Sequence, residues 1–446
     1  MNAPRFAPFV VCTAAALMSA CGFIPLGNTS ASSVPTPTSS PAPAASATPT
    51  ASAASAARTV QAAPSLPVAC LAPSEALDAP APVSFQASIT RAGQQLLDQA
   101  SRCVGNEART LVIDPLIDAN TGAQTVSTVS MGEQLAALVK SQHGNWHVQP
   151  LTRKALAEKP LLLIGTLTPV TVERSVDTVP DAFRVWLTVI DLRSGRVVAK
   201  QIDRATVASV NPEPLKFYQD SPSWSKDRAV RGYINSCQIN TRIGDLADPD
   251  YLAMLPASAV VNEAIIAYNA GRVPAANGLY KEAATLADGE GDLRALNGLY
   301  LTSWQLGKQD AARAAFSKLV ATGLDLKQVP IKFLFKPGGT DFYTFGDLAQ
   351  QYEIWVATLA REIEQARSCV RIVGHTSRTG SASLNDRLSR KRAETLEQML
   401  EHDNRRLATR LSALGVGSRE ALVGLGTDDL RDALDRRVEF RVVDCV

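Results

Sequence analysis

The sequence predicts a multidomain α+β protein, with an α/β module first, a short helical segment next and a β-α-β-α-β-β domain of sheet and helices last. Length indicates several domains, because 446 residues exceed what one hydrophobic core usually serves. Periodicity gives their order: strands and helices are mixed over residues 68–246, helices alone follow over 250–326, and strands return over 330–446.

Composition argues against one large class of partner. The chain has 45 Lys and Arg against 43 Asp and Glu, so its net charge is +2. Such a balance offers no basic field that would gather nucleic acid or anionic lipid. We therefore expect no nucleic-acid partner.

Residues 1–21 have the pattern of an export signal. Arg5 precedes an apolar run over residues 6–17, which is too short to span a bilayer comfortably. The letters MSACG then resemble a bacterial lipobox, although Met18 stands where Leu is usual. The resemblance implies lipidation of Cys21, with palmitate among its acyl chains, and Gly22 favours the outer membrane with the protein facing the periplasm. An ordinary secretory signal with an incidental cysteine is the alternative.

Residues 22–67 are almost wholly Ala, Ser, Thr and Pro. A stretch of this composition buries too little apolar surface to offset its ordering entropy, so we predict a disordered linker. Proline-rich stiffness would let it reach on the order of 100 Å when stretched. We interpret it as a spacer between a lipid anchor and the folded domains, although a passive leader has the same composition.

The α/β module contains a predicted hairpin next to a core strand. Strands are predicted at residues 110–114, 146–150, 160–167, 183–192 and 196–202, with a helix at 131–140. The letters LLLIGTLTPV and FRVWLTVIDLRSGRVVAKQ resemble the α/β modules of TolB N-terminal, curli-secretion and penicillin-binding-protein-activator lipoproteins. That resemblance implies an envelope protein partner, and it assigns no individual residue.

The helical segment repeats a three-residue pattern. The pattern occurs first as Gly271, Ala276 and Tyr280 and again, 36 residues later, as Gly307, Ala312 and Phe316. The spacing resembles the tetratricopeptide period of about 34 residues. A groove for a partner peptide and a rigid spacer are both consistent with two such repeats, which we expect to pack on the flanking domains.

The terminal domain alternates strands and helices before closing with two strands. The predicted order is strand 331–335, helix 345–363, strand 369–374, helix 384–400, a strand near 421–426 and strand 437–443. The letters GHTSRTGSASLNDRLSRKRAETLEQML and GLGTDD…DALDRRVEF resemble the signature of OmpA-like peptidoglycan-binding domains. The resemblance implies a sheet with helices on one face and a ligand, the diaminopimelate side chain of the peptidoglycan stem peptide.

Two positions of that signature read the ligand. In the family an Arg holds the carboxylate of diaminopimelate through two parallel hydrogen bonds, and an Asp pairs with its ammonium. The Arg corresponds to Arg392, whereas the Asp position is Ser377. Either affinity is lower, or another acid substitutes, with Asp341 and Asp386 as candidates, or the domain keeps the fold and has lost the ligand.

The resemblance carries over three further positions less specifically, namely Thr376, Asn385 and Arg437. Without the flanking signature, Arg392 would be interpreted as a solvated helical charge, because basic residues crowd beside it. His375 is expected to be structural, since no nucleophile or carboxylate partner is recognisable near it.

Five cysteines remain after Cys12 and Cys21, namely Cys70, Cys103, Cys237, Cys369 and Cys445. In an oxidising compartment they are candidates for disulfides, and the odd number leaves at least one unpaired within the chain. Cys369 begins one predicted strand and Cys445 follows another, so the two can be bridged if those strands are antiparallel neighbours.

We expect a binding protein without metal or cofactor, not an enzyme. No nucleophile elbow, P-loop or dinucleotide fingerprint occurs, and the sequence HGNWH around His143 and His147 lacks helical metal-ligand geometry. Two functions remain: a tether that links the outer membrane to peptidoglycan, and an accessory lipoprotein that recruits an envelope machine through its central regions. The large middle of the chain is what distinguishes them, because a simple tether does not need it.

Overall fold

The computed structural model describes residues 70, 79–105, 107–171, 179–224, 226–286, 292–344, 346–429 and 431–445. The expected signal sequence, Cys21 and the linker lie outside these residues, so the lipoprotein assignment stays a prediction. The described residues form two sheets, which four consecutive helices separate along the chain.

The α/β module is built on a six-stranded mixed sheet. It contains β1 (Arg109–Ile113), β2 (Ile117–Asp118), β3 (Trp146–Pro150), β4 (Leu161–Val170), β5 (Ala182–Asp191) and β6 (Arg196–Thr206). The strand order is β3-β1-β4-β5-β6, with β2 also paired to β4. Strands β3, β1 and β4 are parallel, and the predicted hairpin adds β5 and β6 in antiparallel register.

Both faces of this sheet are buried, because neighbouring residues of its strands point to opposite sides. Leu161 and Leu163 enter a core with the helices α1 (Phe85–Val104) and α2 (Val126–Gln142). Leu162 and Ile164 enter a second core on the other side, with α3 (Arg153–Ala157) and α5 (Arg228–Cys237). A short helix, α4 (Lys216–Asp220), precedes α5. Helix α1 was not predicted from the sequence, although its apolar stripe has helical spacing.

Four helices follow the module. They are α6 (Pro249–Asn269), α7 (Val273–Leu286), α8 (Leu293–Gln305) and α9 (Gln309–Asp325). Gly271 and Gly307, each two residues after the end of α6 or α8, have φ of 73° and 70°, and the repeated Ala and aromatic side chains are fully buried. The repeat is thus two similar helical hairpins, whereas membership of the tetratricopeptide family stays a prediction.

Among the described helices, α6 has the length and apolar composition of a membrane span, a feature that the sequence analysis overlooked. In the fold, 61% of its most apolar window is buried. Its residues Val261, Ala264 and Ile265 pack in the hydrophobic core with the other three helices. The apolar composition of α6 is therefore accounted for by packing within the protein.

The terminal domain has a four-stranded sheet. Its elements are β7 (Gln328–Leu334), α10 (Leu348–Gln365), β8 (Cys369–Gly374), α11 (Ala382–Asp403), β9 (Leu411–Gly415) and β10 (Arg437–Val443). The order is β7-β10-β8-β9, with β10 antiparallel to both neighbours and β9 parallel to β8. Pairing of β8 with β10 places Cys369 opposite Val443, and a disulfide joins Cys369 to Cys445.

The strand predicted near residues 421–426 is wrong, because the structure forms β9 at Leu411–Gly415 instead. The backbone N–H groups of residues 422–424 donate to the carboxylate of Asp435, at 2.6, 3.1 and 2.7 Å, so they have no strand partner. Gly424 and Gly426 adopt φ of 71° and 66°, which extended strands do not use. Apolar letters around two glycines were thus mistaken for a strand.

The helical segment and the terminal domain share one hydrophobic core. Tyr300 and Phe316 from the helices pack with Phe333 and Trp355 from the terminal domain. The α/β module also reaches the terminal sheet, since Lys332 N donates to the Pro222 carbonyl at 2.9 Å and Ser223 bridges to Ile331. The terminal sheet is therefore held by both preceding parts of the chain.

Candidate functional site

Arg392 on α11 holds together the loops that follow β7 and β8. Its Nε donates to the Gly339 carbonyl, its Nη1 to that of His375 and its Nη2 to that of Lys336, each at 2.9 Å. The guanidinium also lies over the Phe335 ring, 5.2 Å from the centroid. Because the side chain is 0% exposed, the interpretation of Arg392 as a solvated helical charge is wrong.

Close packing of α11 on the sheet puts Arg392 beneath these loops. A Cβ on Gly374, at the end of β8, would lie 1.9 Å from the Ser389 carbonyl oxygen. A Cβ on Gly415, at the end of β9, would lie 2.4 Å from the Arg390 nitrogen. Only glycine at both strand ends lets the helix backbone approach so closely.

Ser377 has an acid beside it, supplied by a distant part of the sequence. The Ser377 hydroxyl donates to Asp428 Oδ1 at 2.8 Å and lies 3.1 Å from the Thr379 hydroxyl. Asp428 also accepts from Arg436 Nη1 at 3.1 Å, and its side chain is 31% exposed. A carboxylate therefore stands one hydrogen bond away from the position where the family signature has one.

The loop before β10 holds Asp428 in a fixed turn. Asp428 has φ of 57°, in the left-handed region that Asp tolerates better than most residues. The buried carboxylate of Asp432 accepts from the N–H groups of Leu425, Thr427 and Asp428 at 3.2, 2.6 and 3.3 Å. The α/β module supports the same loop, because Asn120 Nδ2 donates to the Leu422 carbonyl at 2.8 Å.

Charges of both signs lie close to Asp428, since Arg436 pairs with it and the buried carboxylate of Asp432 accepts from its N–H group. Burial, together with the charge of Arg436, lowers the pKa of Arg392 to about 10, while the charge of Asp428 acts in the opposite sense. The Arg392 guanidinium nevertheless stays charged at neutral pH. The buried guanidinium of Arg392 and the partly exposed carboxylate of Asp428 suit a ligand that carries both an anionic and a cationic group.

Two more of the predicted residues, Asn385 and Thr376, lie at the loop that follows β8. Asn385 Nδ2 donates to the carbonyls of Thr379 and Ser377, at 3.0 and 3.5 Å, and so fixes the loop after β8. Thr376 is buried, its N–H donates to the Gly417 carbonyl at 2.9 Å, and its hydroxyl has no hydrogen-bond partner among the described residues. Ser377, Thr376, Asn385 and Arg392 therefore converge on one loop.

Arg437 makes its side-chain contacts within the fold. Its guanidinium lies over the Trp224 ring, 4.8 Å from the centroid, and donates to Glu439 at 3.4 Å. It also donates to the carbonyls of Leu434 and Glu420, at 3.2 and 3.4 Å. These contacts join β10 to the α/β module, and a ligand role for Arg437 stays a prediction.

His375 and two glutamates form a cluster next to this contact, in which His375 and Glu439 are buried and Glu420 is exposed. Ligand atoms of His375, Glu420 and Glu439 lie within 4.8 Å of one another, a spacing that metals use. However, Glu439 pairs with Arg437 and Arg441, and Glu420 also pairs with Arg441. Because arginines already balance the negative charge of the two glutamates, we interpret the cluster as an ion-pair network that holds β10 and not as a metal centre.

Asp428 was missed by the sequence analysis, which offered Asp341 and Asp386 as substitute acids. Asp386 pairs with Arg419 at 2.6 Å, and the Asp341 backbone carbonyl accepts from Lys336 N at 2.9 Å. Among the described residues, neither side chain forms a hydrogen bond with Ser377. The signal for Asp428 was its place in the closing motif GLGTDD, but only the folded loop shows which residue it faces.

Comparison with known proteins agrees with the fold of the terminal domain. Residues 334–433 match the family model of the OmpA family, and this part of the chain is an OmpA-like domain. No curated protein matches the chain.

Several solved structures are similar to a part of this chain. The peptidoglycan-associated lipoprotein from Burkholderia pseudomallei is 21% identical, with 25% of this chain and 89% of that chain covered and a TM-score of 0.21. An outer membrane protein from Borrelia burgdorferi is 21% identical, with 26% and 86% covered and a TM-score of 0.20. A putative MotB-like protein from Desulfovibrio vulgaris is 21% identical, with 29% and 93% covered and a TM-score of 0.22.

Proposed function

We propose that this protein is a non-catalytic envelope protein that binds peptidoglycan through its OmpA-like domain. The observation that carries the proposal is the hydrogen bond between Ser377 and Asp428. It puts a carboxylate one hydrogen bond away from the position where the family signature has one. In this proposal Asp428, which is distant in sequence but adjacent in the fold, replaces the family Asp that is missing at position 377. The site would then have the charges that diaminopimelate needs.

The ligand's ammonium would be received by Asp428. Its hydrogen bonds with Ser377 and Arg436 both involve Oδ1. Among the described residues no hydrogen-bond partner of Oδ2 is seen, so a ligand can use this oxygen. Exposure of 31% makes the carboxylate accessible from solvent. A charge-assisted hydrogen bond of this kind is worth roughly 1.5 to 3 kcal/mol.

The ligand's carboxylate would meet the cationic side of the site. Arg392 uses three of its five N–H groups on backbone carbonyls, which leaves two donors on a guanidinium that is already oriented. Since Arg392 is fully buried, the loops after β7 and β8 must part slightly for a direct contact. The buried positive charge attracts the carboxylate even before that movement.

Sedimentation of the full chain with isolated sacculi that contain diaminopimelate tests the proposal. Asp428→Asn keeps the shape and removes the charge, so we expect affinity to fall roughly 10- to 100-fold. Asp429→Asn is the matched control, because Asp429 is adjacent but pairs with Arg431 at 2.7 Å. Free diaminopimelate should compete with sacculi for the wild-type protein.

Two results would contradict the proposal. One is a wild-type protein that stays in the supernatant while remaining folded by circular dichroism. The other is an Asp428→Asn variant that sediments as well as wild type. Ser377→Asp serves as a further probe, because it restores the family residue at the cost of a second carboxylate beside Asp428.

We further propose that the protein is attached to the outer membrane by lipid on Cys21 and that it tethers this membrane to the wall. The support is the lipobox-like sequence before Cys21 and the Pro-rich stretch after it. Replacing Cys21 with Ser should release the protein from the membrane fraction and abolish labelling with palmitate. Labelling that persists in Cys21→Ser would refute this attachment.

A further inference from the structure

The loop that carries Asp428 is held by two parts of the chain. Within the OmpA-like domain, the buried carboxylates of Asp432 and Asp435 accept from backbone N–H groups between residues 422 and 428. Further contacts of the same loop are made with the α/β module. The position of Asp428 therefore depends on a part of the protein that lies outside the OmpA-like domain.

Asn120 of the α/β module supplies the first of these further contacts. Its Nδ2 donates to the Leu422 carbonyl at 2.8 Å, across 302 positions of sequence. Asn120 lies in a turn directly after β2, where the Asp118 carboxylate accepts from the N–H groups of Asn120 and Thr121 at 3.0 and 2.8 Å. Because the turn is closed by its own hydrogen bonds, the Asn120 amide is already in place to hold the loop.

Leu425 supplies the second contact, from the loop to the module. Its side chain packs against the hydrophobic core that α1 and α2 form with the six-stranded sheet. Gly424, next to it, is buried and has φ of 71°. A Cβ on Gly424 would lie 3.6 Å from Pro180 Cδ, which also belongs to the module. A polar contact and an apolar contact thus attach the loop to the α/β module.

We propose that Asn120 is a positioning residue of the peptidoglycan site, which holds Asp428 in place through the Leu422 carbonyl. The inference rests on the proposed function and deepens it, because the α/β module becomes part of what sets the affinity for the wall. Asp428 meets Ser377 at 2.8 Å only while the loop keeps its path. Loss of the module contact lowers the fraction of molecules with that path, and the apparent affinity falls in proportion.

The chemistry of the side chain allows a substitution that removes this contact without removing volume. A backbone carbonyl needs a donor, and the Asn120 amide provides one. Asp at this position has nearly the same shape, but its carboxylate is an acceptor and repels the carbonyl oxygen. Asn120→Asp should therefore move the loop away from the module and leave no cavity behind.

Sedimentation of the full-length variants with sacculi measures the effect on affinity. Asn120→Asp should bind roughly three- to tenfold more weakly than wild type, as expected for the loss of one hydrogen bond. Asn240→Asp is the matched control, because it makes the same change in the same module at a residue whose Nδ2 donates to Asn235 at 3.1 Å. Leu425→Ala should also weaken binding, whereas Leu425→Met preserves volume and should restore it.

Hydrogen exchange of the protein without ligand separates this inference from the proposed function. The N–H groups of Leu425, Thr427 and Asp428 are bound by Asp432, so their exchange reports the path of the loop. These amides should exchange several-fold faster in Asn120→Asp than in wild type, and at the wild-type rate in the Asn240 control.

The two measurements have distinct consequences. Wild-type affinity in Asn120→Asp, or unchanged exchange of the loop amides, would overturn the positioning role and leave the proposed function standing. A wild-type protein that does not sediment with sacculi would refute the proposed function, and exchange alone would then decide whether Asn120 positions Asp428. Circular dichroism of each variant ensures that the comparison is made between folded proteins.

Discussion

The indole Nε1 of Trp355 donates a 2.7 Å hydrogen bond to the hydroxyl of Tyr300. Trp355 lies on α10 of the OmpA-like domain, whereas Tyr300 lies on α8 of the helical segment. The Tyr300 hydroxyl donates onward to Gln351 Oε1 at 2.8 Å. This buried chain of hydrogen bonds crosses from one predicted domain to the next and makes their contact specific.

Tyr300→Phe should destabilise the whole described fold. Loss of the hydroxyl leaves the Trp355 donor and the Gln351 acceptor unsatisfied in the core, at a cost of about 1 to 3 kcal/mol. Urea unfolding of full-length protein measures the difference. Tyr343→Phe is the control, because the Tyr343 hydroxyl has no hydrogen-bond partner among the described residues. Equal midpoints for the two variants would show that the hydrogen-bond chain contributes nothing.

Gly374→Ala should be among the most disruptive single changes. The added methyl group would meet the Ser389 carbonyl at 1.9 Å, so α11 must move away from β8, and Arg392 with it. We expect a loss of more than about 2 kcal/mol, as for other overpacked sites. Gly278→Ala in α7 is the counterpart, since a Cβ there meets nothing within 4 Å and should stabilise the helix by about 1 kcal/mol. Thermal melts of both variants decide the matter.

The sequence was sufficient for most elements of the terminal domain because their patterns are local. Strand Arg437–Val443 was predicted at its observed ends, and Cys369 was placed at the start of a strand that pairs with it. Strand Leu411–Gly415 was not found, because it is short and only partly buried. Residues 421–426 were misassigned because the carboxylates that bind their N–H groups follow several residues later.

His375 should remain neutral far below the usual range of histidine. Burial, followed by the charge of Arg437, lowers its pKa to about 4. The unfolded chain then binds a proton that the fold does not, so stability falls as pH decreases from about 6.5 to 4, by about 3 kcal/mol. NMR titration of the imidazoles measures this directly, with the remaining histidines as references. Titration of His375 near pH 6.5 in folded protein would contradict the expectation.

Titration of Asp114 should have the opposite effect on the pH dependence of stability. Burial raises its pKa to about 6, while a 2.6 Å hydrogen bond from Tyr251 partly offsets the shift. The fold then binds a proton that the unfolded chain releases, so this contribution is complete below about pH 4 and is lost as pH rises through 6, by about 3 kcal/mol. The stability of Asp114→Asn relative to wild type should therefore be about 3 kcal/mol more favourable at pH 7 than at pH 4.

Chemical denaturation of wild type and Asp114→Asn at both pH values tests this sign. Tyr251→Phe supplies the check, because removal of the donor raises the pKa of Asp114 further and should steepen the pH dependence. A difference between Asp114→Asn and wild type that does not change with pH would rule out titration of this carboxyl.

The disulfide between Cys369 and Cys445 should stabilise the protein mainly through the unfolded state. It joins residues 76 positions apart, for which the chain-entropy estimate is about 4 kcal/mol. The double variant Cys369→Ser with Cys445→Ser should unfold at correspondingly lower urea concentration. Reductant should lower the wild-type midpoint toward that of the variant and leave the variant unchanged.

How well the candidate site could be predicted from the sequence depends on how far apart its residues lie in the chain. Ser377, Asn385 and Arg392 are close together in the chain, and a signature of residue types at fixed spacing could predict their proximity. Asp428 lies 51 residues beyond Ser377, on a loop without regular structure, and the path of such a loop depends on contacts such as Asn120 with Leu422. No local pattern encodes that path.

The core that the helical segment shares with the OmpA-like domain also limits how this domain can be reused. A domain that is exchanged between proteins as an independent unit buries its apolar residues within its own core. Here Phe333 and Trp355 pack against Phe316 and Tyr300 of the preceding helices. Excision of the domain at residue 330 would therefore expose apolar side chains to water. Recombination that preserves function would have to carry the helices along, and substitutions on the two sides of this boundary are expected to coevolve.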